Sequence, residues 1–535
     1  MLRKSLITAA AVCLVCLTAS GCVLSDSGPG KMPPRETKPE VSTKLPKTDM
    51  GKWEYDSEQD IYYQLGISYC ESPADENYEQ LAVFVPGMYM DAYLNGDGTY
   101  TCKLKNKEEN QNYDFDSAPI IMPIRTEGYA AAEPITKDVL KTRKSIFEEI
   151  SDYTSQGFIY AVAGCRGINE GAPLGAADLK AAVRYIRYND DVLPGDAEKI
   201  YIYGMSAGGA IASVLGASGN SPIYTPYLEA IGAIQGVSDA VAGVMAWCPV
   251  TDLDTANAGY EWMMGCTRQG RTTDWNMISA KLAAAYADYV NSAGFTGEDG
   301  QPLLLEKSES GIYQAGSYYD YLKTVIERSL NNYFADQQLT DAETEAYIKG
   351  LNSEKKWITY DKATKTASIT SIEDFVKTCK KASELPVAFD WPGSGNTLFG
   401  KSNGRGAHFD KILSNILTEL KSEYADEYAA DMELKDSLGT SVEQRVKMYA
   451  PLYFLLKNSD GFGSSEVAKH WRIRSGIEQP TTSLTTEVNL ALALRRRAGV
   501  ESVDFETVWA QGHEPVERSG DSTENFILWV KDCVK

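Results

Sequence analysis

The chain has 535 residues, 43% of them hydrophobic and 24% charged, a balance that excludes both a disordered polymer and a coiled-coil rod. Its length supports a large core, in one elaborated domain or in two or three smaller ones. Against 52 Lys and Arg stand 74 Asp and Glu, a formal charge of −22. So acidic a surface repels phosphate backbones and argues against nucleic acid as a partner.

The first residues read as a targeting signal. Arg3 and Lys4 form a positive n-region, and residues 6–19 form an apolar stretch too short to span a bilayer. Ala19, Ser20 and Gly21 then lead into Cys22. This resembles the lipobox of bacterial lipoproteins, whose cysteine becomes the lipidated N-terminus after cleavage; a secretory signal with a chance cysteine is the alternative. Loss of residues 1–21 removes Arg3 and Lys4 and takes the formal charge from −22 to −24. Residues 22–52, rich in Pro, Lys, Ser, Thr and Gly from residue 25 onward, read as a flexible tether. The expected location is the bacterial surface, with the membrane as a partner through the lipid. No later stretch reads as a transmembrane helix.

Short apolar runs at 81–85, 118–122, 158–163, 199–203 and 244–247 alternate with helical patterns at 139–153 and 178–188. That alternation predicts an α/β class with a mostly parallel sheet covered on both faces, its first part over 53–259. From about 260 to 457 nearly everything reads as helix, as in ISAKLAAAYADYVNSAG and HFDKILSNILTELKSEYADEYAADM, which predicts a large helical lid insertion. The core resumes over 458–535 with a strand at 470–474, a helix at 484–497, a strand at 503–509 and a closing helix at 524–533.

Two segments match G-x-S-x-G. Gly204-Met205-Ser206-Ala207-Gly208 follows the strand KIYIY and opens the apolar helix GGAIASVLGAS, the context a nucleophile elbow needs. Ser206 is the candidate nucleophile, and the Ala207 N–H at the helix start is a candidate oxyanion donor. The second match, Gly400-Lys401-Ser402-Asn403-Gly404, overlaps a P-loop pattern, G-x-x-x-x-G-K-S, over 395–402. Asn403-Gly404-Arg405-Gly406 should break the helix that a phosphate cradle requires, so this reads as a loop near the cleft mouth.

A serine nucleophile needs a base and an orienting acid. The histidines are His408, His470 and His513. His513 lies just past the last strand, where an α/β-hydrolase places its base; His408 falls in the insertion and His470 begins a strand. The acid should follow the strand at 470–474, where Glu478 is the carboxylate in Ser475-Gly476-Ile477-Glu478-Gln479-Pro480-Thr481-Thr482. Glu478 could equally be a surface residue, and Asp252 or Asp254 are the alternatives. The second oxyanion donor should come from the loop 123–129, without a nameable residue. Beyond the leader and Cys22, the cysteines are Cys70, Cys102, Cys165, Cys248, Cys266, Cys379 and Cys533. Their number is odd, so at least one stays free or pairs between chains, and no CxxC supports a structural zinc site.

The segment GAADLKAAVRYIRYNDDVLPGDAEKIYIYGMSAGGAIASVLGASGNSP and the following WCPVTDLDTANAGYEW resemble bacterial tannases and their esterase relatives in the α/β-hydrolase superfamily. HWRIRSG…VDFETVWAQGH resembles their acid-and-histidine region, and the insertion shares only the short FD…NTLFG stretch. The resemblance implies an α/β-hydrolase fold, hydrolysis of phenolic acyl esters by a Ser–His–Asp triad, a helical lid, and no metal or cofactor. It carries Ser206 and His513 over directly. Independently of the resemblance, the insertion should supply the pocket wall, and its Lys380–Lys381 region, with Lys381 as the candidate substrate-binding residue, is expected to reach acidic phenols or a carboxylate. Two departures stand out. Such enzymes usually have aspartates where this chain reads Glu478-Gln479-Pro480-Thr481, for the triad and for the phenolic hydroxyls. Fungal tannases and feruloyl esterases flank the serine and histidine with paired cysteines, where this chain has Met205 and Glu514. The resulting expectation is a serine carboxylesterase acting on a small-molecule, aromatic acyl ester. A serine peptidase of the same superfamily and a degenerate hydrolase that binds a ligand are the alternatives.

Overall fold

The computed structural model describes residues 40–535 apart from 106–111, 144, 269–271, 381–387, 391–394 and 401–405. Cys22, Lys381 and the Lys401–Ser402 pair of the second motif lie outside the described residues. The strands are β1 (Glu54–Asp56), β2 (Ile61–Ser68), β3 (Gln80–Pro86), β4 (Met90–Leu94), β5 (Tyr100–Leu104), β6 (Ile120–Ile124), β7 (Ile159–Ala163), β8 (Ile200–Met205), β9 (Gly243–Trp247), β10 (Ile358–Asp361), β11 (Thr366–Ile369), β12 (His470–Gly476) and β13 (Ser502–Val508).

Nine of them form one sheet in the order β1-β2-β3-β7-β6-β8-β9-β12-β13. The pairs from β1 to β7 are antiparallel, and those from β7 to β13 are parallel. Parallel strands joined by helical crossovers are covered on both faces, so they read as unbroken apolar runs. IIMPI in β6, IYAVA in β7 and GVMAW in β9 are buried at every position. The helices Leu174–Tyr188 and Ala207–Ala217 pack on one face, while Ser145–Thr154 and Ser522–Cys533 close a second core on the other. This is the α/β-hydrolase architecture expected from the sequence, and all seven expected strands are present within two residues of their expected ends.

Three features depart from expectation. The N-terminal edge β1–β2 and the hairpin β4–β5 were not foreseen, nor was the hairpin β10–β11 inside the otherwise helical segment. These strands are short or half-exposed, and their sequences (IYYQLGIS, ITYD) lack the long apolar run that marks a buried strand. The end of the expected tether also belongs to the folded body. The Thr48 N–H donates to Asn189 Oδ1 at 2.7 Å, and Ser42 and Gln235 exchange backbone hydrogen bonds at 3.2 Å.

The largely helical segment leaves the sheet after β9 and returns to it at β12. It is tied to the sheet domain by buried polar contacts. Tyr318 OH donates to Asn489 Oδ1 at 2.6 Å, Asn489 Nδ2 donates to Tyr286 OH at 2.9 Å, and Ser329 Oγ donates to the Thr507 carbonyl at 2.9 Å. Among the described residues Cys70, Cys102, Cys165, Cys248, Cys379 and Cys533 are free thiols, and no group of His, Cys, Asp or Glu is arranged to hold a metal.

At the end of β12, the chain passes so close to the loop beyond β13 that only glycine fits. A Cβ on Gly476 would fall 1.9 Å from the Gly512 carbonyl oxygen and 2.6 Å from that of Gln511. Both atoms are backbone and cannot swing away. Gly476→Ala should therefore destabilise the fold by about 1–3 kcal/mol, the usual range for overpacking, and lower activity by shifting the 511–513 loop. Urea unfolding measures this, and an unchanged midpoint would show that the two loops are not in contact.

Candidate active site

The site is assembled at the carboxyl ends of β8, β12 and β13. Ser206 follows β8 and takes φ 57° and ψ −122°, a strained conformation for a non-glycine residue. The turn is held from both sides: the Ser206 N–H donates to the Trp247 carbonyl at 2.9 Å, and the Val250 N–H donates to the Ser206 carbonyl at 3.2 Å. A Cβ on Gly204 would lie 2.4 Å from the Gly208 carbonyl carbon, and one on Gly208 would lie 2.5 Å from the Ile124 carbonyl oxygen. Both glycines of the motif are thus required by close backbone approach.

The helix Ala207–Ala217 begins directly after Ser206. The first N–H groups of a helix have no partner within it, so the Ala207 N–H is available next to the hydroxyl. The Gly208 contact also brings the loop after β6 to the elbow, with the Thr126 nitrogen 3.6 Å from the hypothetical Cβ. The loop expected from the sequence to supply the second oxyanion donor thus lies against the elbow.

His513 Nε2 lies 2.9 Å from Ser206 Oγ. The structure thus brings together the serine and histidine that the sequence singled out. The other histidines are occupied elsewhere. His408 Nδ1 pairs with Asp390 Oδ1 at 3.1 Å and its ring stacks on Tyr428, while His470 Nδ1 meets Ser502 Oγ at 3.0 Å.

The third partner is a correction. His513 Nδ1 lies 2.7 Å from Gln479 Oε1, so the residue beside Glu478 takes the place expected for an acid. Past the end of β12 successive side chains turn to opposite sides. Gln479 points inward and is 1% exposed, while Glu478 is half-buried and faces Lys380, Cys379 and Tyr347. Burial raises the Glu478 carboxyl above its ordinary value, and Lys380 partly opposes this. The fallback aspartates are not at the ring either. Asp252 Oδ1 accepts from the Leu452 N–H at 3.0 Å, and burial pushes Asp254 up to about 6. Among the described residues the hydrogen-bond partners of the imidazole are Ser206 and Gln479.

Gln479 is itself held from behind. Its Nε2 donates to Glu487 Oε1 at 2.5 Å and lies 2.7 Å from Thr482 Oγ1 and 3.1 Å from Ser475 Oγ. Lys380, beside the expected Lys381, is buried at the end of the helix Ile372–Cys379 and donates to the Ile477 carbonyl at 3.3 Å. Burial lowers its ammonium to about 8. Desolvation and the Lys380 charge together hold the His513 pKa below 6.5 and keep the imidazole neutral at pH 7, as a proton acceptor must be.

Comparison with known proteins agrees with this geometry. Residues 116–310 match the BD-FAE family model. No curated protein sequence matches significantly. Among solved structures, the Fusobacterium nucleatum tannase superposes with a TM-score of 0.68 at 28% identity, over 89% of this chain and 95% of that one. The native tannin acyl hydrolase from Lactobacillus plantarum gives 0.68 at 27%, over 89% and 94%. A tannin acyl hydrolase in complex with ethyl gallate gives 0.67 at 26%, again over 89% and 94%. With the nine-stranded sheet, the elbow and near-complete coverage of these structures, the chain is a hydrolase of the α/β-hydrolase superfamily, similar in structure to bacterial tannases.

Proposed function

We propose that the protein is a serine carboxylesterase whose acyl-enzyme forms on Ser206, with aromatic acyl esters as its substrate class. The observation that carries this reading is the 2.9 Å contact between Ser206 Oγ, raised on a strained elbow, and the Nε2 of a half-buried, neutral His513. In this mechanism Ser206 Oγ attacks the ester carbonyl while His513 Nε2 takes its proton. The developing oxyanion meets the Ala207 N–H and a backbone N–H of the Thr126 loop. The imidazolium then gives the proton to the departing alcohol oxygen. A water attacks the acyl-enzyme by the same exchange in reverse and releases the acid.

Replacing Ser206 by Ala should reduce kcat by on the order of 10⁶ if the residues act as a unit. A fluorophosphonate should label the wild type and Ser402→Ala but not Ser206→Ala. Label retained in Ser206→Ala would refute the assignment.

The aromatic preference is supported by similarity to structures named tannase and tannin acyl hydrolase. Lys380, buried beside the site, and the expected Lys381 next to it provide cationic groups for an acidic phenol or carboxylate. The chain lacks carboxylates at Gln479, Pro480 and Thr481, so hydroxyl recognition must differ from that of enzymes with aspartates there. On a panel of galloyl, feruloyl, acetyl and butyryl esters, the aromatic ones should show the highest kcat/KM. Equal or better turnover of acetyl esters would leave a general esterase.

One observation favours the alternative of a ligand-binding hydrolase relative: a neutral amide stands at the acid position. The intact elbow and its contact with the imidazole oppose it. Attachment to the bacterial surface through a lipidated Cys22 is proposed from the sequence of the leader alone. The mature N-terminus should carry a diacylglyceryl cysteine, and an unmodified N-terminus by mass spectrometry would reject it.

A further inference from the structure

Where serine hydrolases place a carboxylate against the histidine, this chain places Gln479, and a carboxylate stands one residue further back. Gln479 Oε1 lies 2.7 Å from His513 Nδ1, and its Nε2 donates to Glu487 Oε1 at 2.5 Å. Glu487 is fully buried on the first turn of the helix Thr485–Arg495. Its Oε1 also accepts from Ser475 Oγ at 2.8 Å and Thr482 Oγ1 at 3.0 Å. Three donors on one oxygen, at the positive end of a helix, form an environment for an anion. The Lys380 ammonium acts in the same sense, against the burial that raises the carboxyl.

The geometry points to Glu487 as the positioning carboxylate of this site, acting on His513 through the amide of Gln479. This inference rests on the serine-esterase reading and adds two effects to it. The first is orientation. A carboxylate accepts only, so it holds the Gln479 NH₂ on its own side and turns Oε1 toward the ring. With the amide reversed, two oxygens would face each other across 2.5 Å, and the NH₂ would face Nδ1. The neutral imidazole would then carry its proton on Nε2, where the Ser206 proton has to go. The second effect is charge. An N–H engaged by a carboxylate polarises the amide, so the carbonyl at its other end accepts more strongly from the Nδ1–H. When Ser206 gives its proton to Nε2, the Nδ1 proton stays on the ring and the positive charge is stabilised through the amide. No proton passes to Gln479.

The charged and titratable groups around this imidazole are Lys380 at the end of Ile372–Cys379, Glu478 and Glu487 on the β12 side, and the Cys248 thiol and Glu514 in and below its own loop. Removing the Glu487 charge leaves Lys380 less opposed. The acid limb of kcat/KM should therefore move to lower pH, and a purely structural role would not move it.

The test uses the full mature chain and three measurements. Glu487→Gln should slow both ester hydrolysis and fluorophosphonate labelling of Ser206 by at least about 10²-fold, the low end of what a positioned base contributes, and lower the acid limb. The exchanged pair Gln479→Glu with Glu487→Gln puts the carboxylate directly on Nδ1 and an amide behind it. It should recover most of the lost rate and raise the acid limb above that of Glu487→Gln. Nitrogen-15 NMR of the wild type, with three histidines to assign, should show neutral His513 protonated on Nδ1. Equal labelling rates in wild type and Glu487→Gln, an exchanged pair as slow as the single variant, or a wild-type Nε2–H tautomer would each overturn the inference. The NMR result decides even if the variants do not fold. A wild type that neither labels nor hydrolyses any ester would instead refute the esterase reading beneath it.

Discussion

The contact between Ser206 Oγ and His513 Nε2 joins two residues 307 positions apart, and most of the architecture serves to hold it at 2.9 Å. The parallel strands β8, β9, β12 and β13 end at the same edge, which brings the elbow and the histidine loop to one place. The elbow is braced by backbone hydrogen bonds to the loop after β9. The histidine loop rests against Gly476 and over the Cys248 thiol, which donates to the Glu514 carbonyl at 3.4 Å. A rigid seat matters because proton transfer needs hydrogen-bond distance, and a displacement of about 1 Å can cost 10²-fold in rate.

The serine and histidine were legible because their requirements are local. A G-x-S-x-G between a strand and an apolar helix admits one serine, and with three histidines in the chain, position relative to the last strand selects one. The third member was not legible by the same rule. A search for a carboxylate after β12 finds Glu478, whereas the fold turns the neighbouring Gln479 inward and takes its carboxylate from the next helix. One signal was present in the sequence: Glu487 is the only charged side chain between Thr485 and Leu494 in the apolar helix TTEVNLALAL. A carboxylate at a position buried on all sides is uncommon without a specific partner.

The rest of the fold divides along the same line. Central strands were readable because burial on both faces writes an unbroken apolar run, as in β7 and β9. The edge strands β1 and β2 and the hairpin β10–β11 carry mixed, half-exposed sequences whose pairing depends on distant partners. Residues 42–48 read as tether by composition, yet they dock through contacts to Gln235 and Asn189 that no local pattern announces.

The account turns on Ser206 carrying the acyl group during turnover, with Gln479, backed by the Glu487 carboxylate, as the partner of His513. Rapid quench of the enzyme with an aromatic nitrophenyl ester, followed by peptide mass spectrometry, observes that intermediate directly. The account predicts one acyl adduct on the peptide containing Ser206, formed in step with a burst of released nitrophenolate. Turnover without an adduct, or an adduct on another residue, would contradict it.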